Sequence, residues 1–165
     1  MSVTDELLRN AESYAASFDK SDLPSGPGKK VAVVACMDTR LSPYAILGLS
    51  EGDAHVIRNA GGVVTDEEIR SLAISQHLLG TEEIILIHHT RCGMLSFTDD
   101  EFAARLEAET GARPDWRAHA FRDLEESVRT QIRRIEDSPF IPRKNVRGFV
   151  YEVETGRLRA VGAAA

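Results

Sequence analysis

Val31-Ala32-Val33-Val34-Ala35, running without a break into Cys36-Met37-Asp38-Thr39-Arg40, is the stretch that decides the fold. Five apolar residues in a row, three of them β-branched, leave no polar face. Such a strand is buried on both sides, as in a parallel sheet covered by helices. A second and more apolar run, Glu83 to His88 with Ile84, Ile85, Leu86 and Ile87 inside it, passes directly into His89-Thr90-Arg91-Cys92-Gly93. His55 to Asn59 reads as a shorter strand, and Gly148 to Val153 as a last one at a sheet edge.

Between these runs the spacing changes to that of helices. Thr65 with Glu68 forms a capping box, and Ile69, Leu72, Ala73, Gln76 and Leu79 follow at helical intervals until Gly80. Thr98 with Glu101 opens another helix through about Glu109, before Gly111 and Pro114. Phe121, Leu124, Val128, Ile132 and Ile135 mark a third, ended before Pro139. Strands alternating with helices indicate an α/β fold, with a mostly parallel central sheet of four to five strands flanked by helices.

Upstream lies an amphipathic helical arm, residues 1–20, with Val3, Leu7, Leu8, Ala11, Tyr14, Ala15 and Phe18 on one face. Residues 21–30, with Pro24, Gly26, Pro27 and Gly28, form a turn-rich linker to the domain at 31–165. The arm's apolar face can pack on its own domain or on a second subunit, and spacing does not choose between them.

A net charge of −6 in 165 residues argues against nucleic-acid or anionic-membrane partners. No apolar run approaches the ~20 residues that span a bilayer. The acidic start MSVTDELLRN lacks the pattern of a signal peptide, so cytoplasmic residence is expected.

In parallel α/β sheets ligands sit beyond the carboxyl ends of the strands. Both strongly apolar strands end there in residues that can bind metal: Cys36 after the first, His89 and Cys92 after the second. Taken singly, each cysteine is equally a small buried hydrophobe and His89 a hydrogen-bonded core histidine. Together, at two strand ends, they point to a zinc site with three protein ligands and an open fourth position. Gly93 is expected to bend the chain after Cys92, and His88 to point away toward the packed face. Asp38 and Arg40, two residues apart, can share a face and form a carboxylate–guanidinium pair next to the metal.

Cys-x-Asp-x-Arg at 36–40, Arg58-Asn59-Ala60-Gly61 and His-x-x-Cys-Gly at 89–93 resemble the β-carbonic anhydrases in order and separation. The likeness covers most of the chain and is to the minimal bacterial, including mycobacterial, branch. It implies Zn²⁺ held by Cys36, His89 and Cys92, the catalytic dyad Asp38–Arg40, and reversible hydration of carbon dioxide to bicarbonate. It also implies a homodimer embraced by the N-terminal arm, with assembly into tetramers in related enzymes. Hydrolysis of carbonyl sulfide, a similar attack on a linear heterocumulene, is the alternative activity; a non-catalytic zinc- or anion-binding protein ranks below it. Regulated bacterial members carry Trp three residues before the first zinc cysteine, where this chain has Val33.

Overall fold

The apolar run at 31–35 extends one residue further than its pattern requires and becomes β1, Val31–Cys36, the best-buried strand of the sheet. The structure, a computed structural model, describes residues 2–162. Met1 of the expected arm and residues 163–165 at the end of the expected domain lie outside it. β2 (Ala54–Asn59), β3 (Glu83–His89), β4 (Asn145–Tyr151) and β5 (Leu158–Val161) complete a five-stranded sheet in the order β2-β1-β3-β4-β5. The first four run parallel, and β5 pairs antiparallel with β4. β1 and β3 are direct neighbours, with Val31 opposite Glu83 and Ala35 opposite Ile87, so their carboxyl ends emerge side by side.

The expected last strand at 148–153 is corrected in both bounds and position. It begins at Asn145 and lies inside the sheet, because residues 158–161 return beside it as the true edge. A four-residue edge strand carries too little pattern to stand out in sequence.

The helices are α1 (Val3–Ala16), α2 (Pro43–Leu47), α3 (Asp66–His77), α4 (Asp99–Thr110) and α5 (Leu124–Asp137). The capping boxes at Thr65/Glu68 and Thr98/Glu101 are formed, and Gly111 ends α4 in the left-handed conformation that a residue without Cβ adopts freely. α5 starts later than its periodicity suggests: Asp123 caps it, and Phe121 lies outside the helix. Ala32, Val34, Ile84 and Leu86 pack on one face of the sheet with Leu72 of α3 and Ile135 of α5. Val33, Ala35 and Ile87 pack on the other with Leu41 and the residues around α2. Burial of these side chains supplies the non-directional term that holds strand ends in place.

α1 stands apart from this packing. None of its residues is buried, and Val3, Leu7, Leu8 and Tyr14 are about half exposed or more. Polar contacts of Tyr14 and Lys20 to Glu51 hold its end of the linker near the domain. Among the described residues no helix is long and apolar enough to cross a membrane.

Candidate active site

Past Ala35 the backbone of β1 must turn across the end of the sheet, and three groups shape that turn. The Arg58 guanidinium donates to the carbonyls of Cys36 (2.7 and 3.0 Å), Asp38 (2.7 Å) and Leu41 (2.9 Å). Asn59 clips its own loop by bonding Val63 through both amide atoms. Gly62, at φ +66°, passes so close to the strand ends that a Cβ there would lie 2.8 Å from the Cys36 nitrogen. The Arg58–Gly62 segment thus builds the floor under the first cluster.

The second cluster turns at Arg91, whose φ is +54°. Gly93, where a bend after Cys92 was expected, opens a 3₁₀ turn, Gly93–Leu95. The left-handed residue sits between the two potential ligands because that is where the chain must reverse to bring Cys92 back toward His89.

These turns bring Cys36, His89 and Cys92 together in the interior, with their donor atoms all within 4.8 Å of one another. The two Sγ atoms are 4.0 Å apart. Nδ1 of His89 donates to the Thr90 carbonyl at 2.8 Å, an acceptor only, so the neutral ring carries its lone pair on Nε2. That Nε2 is fully buried and has no hydrogen-bond partner. A buried lone pair left unsatisfied beside two sulfurs is costly unless something accepts it. Thiolate, thiolate and imidazole are the donors zinc prefers, so this set fits the ion.

These groups influence one another's titration. Hydrogen bonding from the Cys92 thiol outweighs burial and brings Cys36 down to about 4, with contributions from His89 and backbone amides. Cys92 is pushed upward by the Cys36 sulfur and by burial. Burial disfavours the His89 cation, but the nearby Cys36 sulfur outweighs it and raises the ring's pKa. The Arg40 hydrogen bonds hold the Asp38 carboxyl far below the usual carboxylate range.

The Asp38–Arg40 pair forms, though in the loop beyond β1 rather than on an extended strand. Arg40 Nε reaches Oδ1 at 2.9 Å, Nη2 reaches Oδ2 at 2.8 Å, and the Arg40 amide adds a third bond to Oδ1 at 2.9 Å. Asp38 Oδ2 lies 3.7 Å from His89 Nε2, so the carboxylate borders the cluster. A cavity of about 390 Å³ opens over these groups, walled by Met37, Ala60, Gly61, Met94 and Phe97.

His88 points the other way, as alternation along the strand predicts. Its Nε2 bonds the Ser127 hydroxyl at 3.0 Å and its ring stacks on Phe121. Burial pushes its pKa down to about 4. His55 bonds Ser75, His77 bonds the Phe140 carbonyl, and Arg91 pairs with Glu154 at 2.7 Å on the surface. Sequence reasoning noted Arg58 without a role and missed Thr90 and Glu154 altogether. The carbonyls that Arg58 grips are 17 to 22 residues away, and no local pattern announces such contacts.

Residues 31–116 match the family model described as carbonic anhydrase. Beta-carbonic anhydrase 1 of Mycobacterium tuberculosis is 57% identical over 162 residues, covering 98% of this chain and 99% of that protein. A crystal structure of carbonic anhydrase from Streptococcus mutans superposes with a TM-score of 0.92 at 44% identity, covering 98% of this chain and 99% of that one. A carbon disulfide hydrolase of an Acidianus species is 36% identical, covering 94% of this chain and 87% of its own.

Proposed function

We infer the reaction from family and geometry together: the chain belongs to the carbonic anhydrase family, β class, and is a zinc lyase that hydrates carbon dioxide reversibly to bicarbonate and a proton. We propose Cys36, His89 and Cys92 as the zinc ligands and Asp38–Arg40 as the catalytic dyad. The observation that carries this is the buried, unpartnered Nε2 of His89, aimed at two sulfurs with a fixed carboxylate beside it. When bound there, zinc would supply the Lewis acidity that makes water a nucleophile near neutral pH.

The chain's own residues do the rest. Arg40 keeps Asp38 ionised and, with three hydrogen bonds, stops it rotating. Asp38 can therefore only accept, and a water donating one hydrogen to it presents a lone pair to the cavity. Carbon dioxide is uncharged and apolar and sits against Ala60, Met94 and Phe97, which offer no competing hydrogen bonds. The open mouth gives the anionic product and the released proton a way to solvent. His88 takes no part in that transfer, since its ring is fully buried against α5 and Phe121.

The exposed apolar face of α1 supports a homodimer in which each arm covers its partner. The need to keep Cys36 and Cys92 reduced if they are to hold zinc supports residence in the reducing cytoplasm. The 36% identity to a carbon disulfide hydrolase keeps sulfur-containing heterocumulenes as the second reading. Stopped-flow carbon dioxide hydration on metal-analysed protein tests the first, with carbonyl sulfide and carbon disulfide run in parallel. Rapid hydration with about one zinc per chain is expected. Fully loaded protein that leaves carbon dioxide untouched but hydrolyses either sulfur compound would replace it with the second reading.

A further inference from the structure

We infer that Glu154, in the turn between β4 and β5, is a positioning residue for the Asp38–Arg40 pair, acting through the backbone of Arg91; this rests on the role of that pair proposed above. Glu154 touches nothing in the cavity. It grips the turn between His89 and Cys92 from outside, accepting from the Thr90 hydroxyl at 2.7 Å and pairing with Arg91 Nε at 2.7 Å. The same hydroxyl accepts from the Val153 amide at 3.0 Å, and the Thr90 amide donates to the Tyr151 carbonyl at 2.9 Å. The end of β4 and the turn after it therefore hold residues 90 and 91 at four points.

Arg91 is held in a conformation that a residue with a Cβ resists, at φ +54°. Its side chain is 70% exposed and its ion pair goes to Glu154, so nothing buried maintains the strain. What the strained turn delivers is its carbonyl. That oxygen accepts from Arg40 Nη2 at 3.1 Å, and the same Nη2 holds Asp38 Oδ2 at 2.8 Å. Arg40 is 47% exposed, and among the described residues the Arg91 carbonyl is its one hydrogen-bond acceptor other than Asp38. A bidentate guanidinium with a third anchor is fixed in rotation as well as in place. Were the Arg91 turn to relax to negative φ, its carbonyl would swing away and leave Arg40 tethered only to the group it must orient. Strain of this kind persists where surrounding contacts over-determine it, commonly beside an active site.

Zinc-loaded Glu154→Ala, Glu154→Gln, Arg91→Gly and the double variant Arg91→Gly/Glu154→Ala test the link by hydration kinetics, zinc content and crystallography. Glu154→Ala is expected to lower kcat/KM about tenfold, the lower end of what losing an outer-layer partner costs, with zinc content unchanged and the loss in kcat rather than KM. Glu154→Gln, which keeps the Thr90 bond and loses the ion pair, should fall between. Glycine adopts positive φ unaided, so the double variant should recover most of the activity. In the Glu154→Ala crystal structure the Arg91 carbonyl should lie beyond hydrogen-bonding distance of Arg40. Wild-type kinetics in Glu154→Ala, a double variant no better than it, or activity lost only in step with zinc would each overturn the inference. Failure of the wild type to hydrate carbon dioxide would instead sink the proposed function, and the crystallographic distance alone would then decide the Glu154–Arg40 link.

Discussion

One added methyl group at Gly62 probes how tightly the sheet end and the candidate metal site are built together. In Gly62→Ala the new Cβ would sit 2.8 Å from the Cys36 nitrogen, 3.0 Å from the Ala35 carbonyl carbon and 3.1 Å from the Ile87 oxygen, at φ +66°. The left-handed conformation costs an alanine ~1–2 kcal/mol. Overpacking adds ~1–3 kcal/mol, and the upper end applies because all three atoms are backbone of central strands, which cannot rotate aside. The total is about 3–5 kcal/mol. Gly80→Ala is the control: φ is +76° and nothing lies within 4 Å of its Cβ, so only the first cost remains. At ~2–4 °C per kcal/mol for a chain of this size, Gly80→Ala should melt about 2–8 °C below wild type and Gly62→Ala about 6–20 °C below, the overpacking alone separating the two by at least about 4 °C. Scanning calorimetry at matched zinc and protein concentrations makes the comparison, because binding and association both move the midpoint. Melting of the two variants within about 2 °C of each other would refute the claim that the strand ends are in contact with this turn.

Replacing Cys36, His89 or Cys92 by Ala should abolish stoichiometric zinc, read by metal analysis after dialysis; full occupancy in any one variant would remove that residue from the ligand set. Asp38→Asn, which removes the charge that Arg40 holds, should keep zinc but lose about a hundredfold or more in kcat/KM, measured by stopped flow. An Asp38→Asn enzyme with near wild-type turnover would reduce the pair to a surface ion pair. Deletion of residues 2–20 should shift the protein toward monomer in sedimentation velocity, and an unchanged dimer would deny the arm its embracing role.

Much of this fold and site is legible in the sequence alone. The runs at 31–35 and 83–88 needed only their own composition to read as doubly buried strands, and the rule that ligands sit at carboxyl ends placed Cys36, His89 and Cys92 in one region. Capping boxes named the starts of α3 and α4, because a cap is made within a few residues of chain. Alternation along β3 sent His88 to the packed face and left His89 for the site. These features depend on neighbours two to four residues apart, which a sequence displays directly.

The remainder depended on residues brought together from a distance. β4 could not be recognised as interior, since its second neighbour is the four-residue β5 and not part of its own pattern. Phe121 fitted the period of α5 but stacks on His88 from outside the helix, a choice made by Asp123 capping and by the ring's packing. The Arg58 clamp, the close pass of Gly62, the left-handed turn at Arg91 and the grip of Glu154, 64 residues along the chain from Thr90, are likewise tertiary. The sequence by itself determined which residues could do chemistry and at which end of the sheet they stand. Only the folded chain decided their distances and orientations, because those follow from steric and hydrogen-bonding contacts between segments that sequence order does not relate.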